Sequence, residues 1–166
     1  MYLFTAFLVI VFLYIFNGVR RRIFMYLILN KSEFLYVDEG ASKLLRDNQY
    51  MLTAKPDRIV RYKGKVYVIE FKSRKTKVFK KDIVQASIGA IASWDFVGQV
   101  DFVLVYNGSY KFKKEKIKSK RKLYEKYSKH IKNARDIKSG LSVRSWVRKE
   151  SCFVCPFSNS CSFKKS

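Results

Sequence analysis

Proline and glycine are scarce in these 166 residues, at 2 and 7, which excludes collagen-like, linker-like and most low-complexity chains. No segment recurs at the periods of solenoids or propellers. There is one histidine, and the three cysteines all lie beyond Ser151. Acidic residues are few as well: 13 against 35 lysines and arginines, a formal charge of +22. Such a surplus repels itself in a compact fold and points to a polyanionic partner, nucleic acid or anionic lipid. A very basic host proteome is the bland alternative. Apolar residues are not lacking. At 48% hydrophobic and 16% aromatic, the chain is not intrinsically disordered. Its length admits one domain with appendages.

Only one long stretch has no charge. Residues 2 to 16, YLFTAFLVIVFLYIF, are followed by Asn17, Gly18 and Val19 and then by Arg20, Arg21 and Arg22. A spanning helix needs about 20 apolar residues, with ~17 as the lower limit. A signal peptide would carry its basic residues before the apolar stretch and an A-x-A-like site after it, and neither holds here. The expectation is an anchor over 1–22, a transmembrane or membrane-associated helix. The arginines would hold the rest of the chain on the cytoplasmic side of the cytoplasmic membrane in a single-pass arrangement. A buried core helix is the alternative. Ile23 to Leu29 forms a second apolar run, too short to span, that suits a membrane surface or a core.

Beyond the anchor, the pattern predicts a compact mixed α/β domain over 23–150 and a cysteine-rich segment over 151–166. Lys31 to Asn48 reads as helical in its second half, with Val37, Ala41, Leu44 and Leu45 at helical spacing. Met51 to Ser73 reads as strands around a Lys63-Gly64 turn, and Lys81 to Ser93 as a helix striped by Ile83, Val84, Ile88 and Ile91. Gln99 to Tyr106 reads as a buried strand, and Asn107-Gly108 as a hairpin signal before Tyr110 to Phe112. Lys111 to Lys132 is densely basic, with Ile117, Tyr124, Tyr127, Ile131 and Ala134 on one helical face.

With so few acidic residues, their positions carry information. Asp57 follows Pro56, and Glu70-Phe71-Lys72 ends the next strand. A two-residue Lys63-Gly64 turn pairs Tyr62 with Lys65, and the same register carried outward sets Asp57 opposite Glu70. Paired side chains on one face have Cβ atoms about 5 Å apart, and alternation puts Lys72 on that face too. Close carboxylates repel unless a cation or proton lies between them. A hard divalent ion with oxygen ligands meets that need and can activate water against a phosphodiester. A surface cross-strand salt bridge is the alternative reading.

Pro56-Asp57, Glu70-Phe71-Lys72 and Gln85 on the following helix together resemble the PD-(D/E)XK nuclease superfamily, most closely the CRISPR-associated RecB-like exonucleases, to which the nuclease domain of AddB is related. The resemblance spans Asp38 to Lys164. It implies a restriction-endonuclease-like mixed sheet flanked by helices. It also implies Mg²⁺ or Mn²⁺ held by Asp57, Glu70 and the Phe71 carbonyl, an attacking water served by Lys72, and a contribution from Gln85. The family's upstream histidine is missing, since His130 lies far downstream and is expected to face solvent. Glu39, on the first helix predicted after the anchor, is the residue nearest that place. Gly89 stands where the family has a tyrosine four residues after the glutamine.

Cys152, Cys155 and Cys161 form a C-x₂-C-P-x₄-C cluster. In a reducing compartment such spacing favours metal binding or reactivity over disulfides. The trio resembles the C-terminal cysteines of RecB-like exonucleases, which help bind a [4Fe–4S] iron–sulfur cluster with a distant fourth cysteine that this chain lacks. A three-iron cluster, a non-cysteine fourth ligand, Zn²⁺, or loss of the cluster all remain open.

Cations interleaved with aromatics suit single-stranded nucleic acid bound without sequence preference. Lys75, Lys77, Lys80 and Lys81 follow the D…E-x-K hairpin, and Lys113, Lys114, Lys120 and Arg121 lie in the later basic tract. Tyr124 and Tyr127 are expected to fill the core. The expected function is a membrane-anchored, Mg²⁺- or Mn²⁺-dependent DNA exonuclease acting on single-stranded ends, with CRISPR adaptation proteins as partners implied by the resemblance. One alternative is a catalytically inactive protein that tethers DNA at the membrane. The other is a membrane-surface iron–sulfur or zinc protein whose basic face meets anionic lipid.

Overall fold

A computed structural model describes residues 2–40, 42–74, 77–108 and 112–141, with the side chains of residues 2–4 and 8 outside that description. The chain divides into two compact units, Met1–Ser128 and Lys129–Ser166. Of the second, only the segment up to Leu141 is described, so the three cysteines lie outside the described residues.

The first element is a single helix, α1 (Tyr2–Asn30), unbroken through Asn17, Gly18 and the three arginines. It stops where Asn30 Nδ2 and the Ser32 hydroxyl donate to the carbonyls of Tyr26 and Ile28, taking up terminal acceptors. Strands β1 (Glu33–Val37), β2 (Leu45–Asp47), β3 (Leu52–Ala54), β4 (Arg58–Tyr62) and β5 (Lys65–Phe71) follow. Then come α2 (Lys80–Val97), β6 (Phe102–Tyr106), β7 (Phe112–Lys116) and α3 (Lys120–Lys138). Five strands form one mixed sheet in the order β1-β4-β5-β6-β7, and β2 and β3 form a separate antiparallel pair. β5 and β6 run parallel, which requires a long crossover, and α2 supplies it.

The β4–β5 hairpin has the expected register, Tyr62↔Lys65 through Arg58↔Ile69. Lys63 and Gly64 both have positive φ, 50° and 69°, the I′ geometry that matches strand twist and favours glycine. The helix expected in the second half of 31–48 is absent. Phe34, Tyr36 and Val37 belong to β1, paired with β4, and Leu45 to β2. Aromatic and β-branched side chains with a partner strand override a coincidental helical spacing. The basic helix also starts later than expected, because Phe112 to Lys116 are a strand on the edge of β6. The β6–β7 connection is correspondingly longer than an Asn-Gly turn, with Tyr106 paired to Phe112.

The sheet has two covered faces. On one, Val60, Tyr67, Ile69 and Leu104 pack with Met25 and Ile28 of α1, flanked by Phe24, Phe102 and Phe112. The run from Ile23 to Leu29 therefore contributes to the core. On the other face Ile59, Val66, Val68, Val103 and Val105 are buried together with Ala86, Ala90 and Ile91 of α2. Gly89 lets α2 approach closely, since a Cβ there would stand 3.5 Å from the Pro56 Cβ and 3.8 Å from a Val68 methyl. Tyr127 is buried as expected, whereas Tyr124 is half-buried and stacks on Tyr50 with ring centroids 3.9 Å apart. Ala134 and His130 are exposed.

The front half of α1 contrasts with the rest. Phe7, Ile10, Phe12, Tyr14 and Ile15 are all more than half exposed. Among the described residues, however, no helix is long and apolar enough to cross a membrane, so the structure does not bear out a spanning segment.

Candidate active site

The α2-facing side of the hairpin carries the acidic pair. Alternation along β5 puts Glu70 with Val66 and Val68, while Asp57 stands one residue outside the last pair, Arg58↔Ile69. Two backbone bonds fix Asp57. Its carbonyl accepts the Asp38 N–H at 3.0 Å, and its Oδ2 accepts the Phe71 N–H at 2.6 Å. The strand end is pinned from the other side by the Lys72 N–H, which donates to the Tyr106 carbonyl at 2.8 Å.

Glu70 is almost fully buried, at 4% exposure. The Lys72 ammonium donates to Glu70 Oε1 at 2.7 Å and to Gln85 Oε1 at 2.8 Å. Gln85 Nε2 closes the triangle by donating to the same Glu70 oxygen at 2.5 Å. Asp57, Glu70, Lys72 and Gln85 are thus brought together, three from the hairpin and its end and one from α2. Hydrogen bonds engage Asp57 Oδ2 and Glu70 Oε1, which leaves Oδ1 and Oε2 as the oxygens available to a cation. The Phe71 carbonyl lies between Glu70 and Lys72 in the chain. Two carboxylates and a carbonyl are the hard oxygen donors that Mg²⁺ or Mn²⁺ takes, usually with several waters. Among the described residues there is no group of three or more His, Cys, Asp or Glu side chains that could hold a metal.

Burial pushes the Glu70 carboxyl above the usual glutamate value. The Lys72 hydrogen bond and charge pull it back, and the negative charges of Asp57 and Asp82 push it up again.

Asp82 is a charged neighbour of these residues that sequence reasoning missed. It is buried at the third position of α2, accepts the Phe79 N–H at 2.7 Å, and pairs with Arg74. Burial works against its charge. The Arg74 hydrogen bond, the Phe79 N–H and the charges of Arg74 and Lys72 outweigh that and hold Asp82 below the usual aspartate value. An acidic residue in the first turn of a helix was the signal that could have found it.

The other expected positions scatter. Glu39 is exposed in the loop after β1, two residues past Val37 and next to Asp38, rather than on a helix. Lys77, Lys80 and Lys81 are exposed at the start of α2, while Lys75 lies outside the described residues. Lys113 and Lys114 sit on β7, an edge strand, where lysines also discourage pairing with another chain. Lys114 faces the α1 side, away from the acids, with its ammonium 4.8 Å from the Phe24 ring centre and 4.9 Å from that of Phe102. Lys120 is mostly buried and bridges Asp47 and Asp95, and Arg121 pairs with Glu125 in the open.

No protein-family model matches the chain, and a search of curated proteins finds no relative.

Proposed function

We propose that the protein is a metal-dependent DNA nuclease of the PD-(D/E)XK type, acting on single-stranded ends. The observation that carries this reading is the closed Glu70–Lys72–Gln85 triangle beside Asp57. Four chemically apt side chains from two strands and a helix converge where a surface salt bridge would have needed only two. The mixed sheet flanked by helices, with the acids at one end of β5, agrees with the fold that the resemblance implies.

In this mechanism Asp57, Glu70 and the Phe71 carbonyl hold Mg²⁺ or Mn²⁺. A divalent ion held there would supply polarisation of the phosphodiester and a lowered pKa for a bound water. Lys72 orients the attacking water and offsets charge developing on the phosphate. Gln85 holds Lys72 and Glu70 in one geometry, since it donates to one and accepts from the other. The exposed apolar half of α1 attaches the domain to a membrane, with Arg20 to Arg22 at the headgroups on the cytoplasmic side.

The test is cleavage of single- and double-stranded DNA by the full chain with Mn²⁺ or Mg²⁺. Asp57→Ala, Glu70→Ala and Lys72→Ala should each abolish it, and EDTA should do the same. Wild-type cleavage by the two acid variants would refute the nuclease. A second reading, a catalytically silent protein that tethers DNA, is favoured by one observation. Gly89 packs on Pro56, so the helix position four residues after Gln85 offers the site no side chain. It predicts salt-sensitive DNA binding with no cleavage under any metal.

A further inference from the structure

Phe79 stands six residues, about one and two-thirds helical turns, before Gln85. It is the N-cap of α2, a position that favours Ser, Thr, Asp or Asn because their oxygens take up a free helical N–H. A phenyl ring cannot do that, and the cap has no side-chain hydrogen bond. Nor does the ring fill the core, since it is 36% exposed.

Three cations surround it. Arg74 Cζ lies 4.9 Å from the ring centre, Lys77 Nζ 5.3 Å and Lys81 Nζ 6.0 Å. Asp82 neutralises Arg74. Among the described residues, neither Lys77 nor Lys81 has a carboxylate partner. A part-exposed aromatic ring thus gathers three cations, two of them exposed and open to an anion. Asp82 links this cluster to the acidic site: it holds both Arg74 and the Phe79 N–H, and its charge is felt by Glu70.

We propose that Phe79 is a stacking platform for one unpaired nucleobase, with Arg74, Lys77 and Lys81 taking the phosphates on either side. The proposal deepens the nuclease reading, on which its placement rests. A base on the ring displaces the lysine tips onto the flanking phosphates, where charge-assisted hydrogen bonds replace weaker cation–π contacts. Only a base freed from its duplex can offer a face to the ring, so the platform selects single strands. The seated nucleotide would lie at the N-terminal end of α2, the helix that carries Gln85.

The experiment measures binding of the full chain, in detergent and EDTA, to a fluorescent oligo(dT) and to the same strand with abasic sites, by anisotropy. EDTA removes cleavage, so the result is independent of whether the acids are catalytic. Phe79→Ala should weaken oligo(dT) binding about 5- to 150-fold, corresponding to the 1–3 kcal/mol of one stacked base. Phe79→Trp should retain it, which guards against misreading a folding defect. The abasic strand should bind wild type and Phe79→Ala alike, and Lys77→Gln with Lys81→Gln should flatten the salt dependence by about two phosphate contacts. Equal binding of oligo(dT) by wild type and Phe79→Ala would overturn the platform. So would wild-type indifference to abasic sites, since the cluster would then hold phosphate alone. Failure of the nuclease reading shows separately, as absence of Mn²⁺-dependent cleavage by the wild-type chain.

Discussion

Ile10 and Ile28 lie on the same helix five turns apart, at about 3.6 residues per turn, and so on the same side of it. Ile28 is fully buried against the sheet, and Ile10 is 65% exposed. Replacing each with alanine makes the same chemical change in two environments. At Ile28 it leaves a cavity among Met25, Val60, Ile69 and Leu104, a change that typically costs about 2–5 kcal/mol. For a domain stable by roughly 5–15 kcal/mol that is a large share, and it lowers Tm by roughly 4–20 °C at this chain length. At Ile10 the change stays within about 0.5 kcal/mol. Thermal unfolding of the full chain in detergent, followed by circular dichroism, measures both. Equal shifts would refute the division of α1 into an exposed half and a core half.

The remaining predictions address charge. Glu70→Gln abolishes cleavage, because the amide lacks the negative charge that a divalent ion requires; retained Mn²⁺-dependent cleavage would contradict this. In the metal-free chain Glu70 takes up its proton above the usual glutamate value. A raised folded-state pKa gives stability that is present at low pH and lost as pH rises through it, so this step should not accompany unfolding. Asp82 has the opposite sign: its lowered pKa contributes stability above the usual aspartate range that is lost as pH falls below it, and Asp82→Asn should remove this acid-side loss from a pH series of Tm values. Lys120→Ala leaves the buried Asp47 without its cation and should cost about 3–5 kcal/mol by urea unfolding. Aspartate at both Ile10 and Ile15 should release the chain from anionic vesicles in a flotation assay, at roughly 2.5–3.5 kcal/mol per charge if those positions sit deep in lipid.

The hairpin was legible because its information is local. Lys63-Gly64 specifies the turn, the turn specifies the register, and period-two alternation then puts Asp57, Glu70 and Lys72 on one face before any tertiary contact is known. The helix bearing Gln85 was legible from its apolar stripe. What the amino-acid order could not show depends on partners distant in the chain. Residues 33–37 and 112–116 became strands because β4 and β6 offered them edges, and the lysines of 112–116 look helical until an edge strand needs protection.

The same holds within the site and along α1. Sequence alone placed the acids, but only packing revealed that Glu70 is buried, that Gln85 reaches it, and that Asp82 in the first turn of α2 is buried nearby. Likewise the apolar run and its arginines are plain in the sequence, while the division of one continuous helix is not. Hydrophobic residues look alike in a list. Tertiary structure decides which of them the sheet covers, burying Met25 and Ile28 and leaving Ile10 and Phe12 exposed.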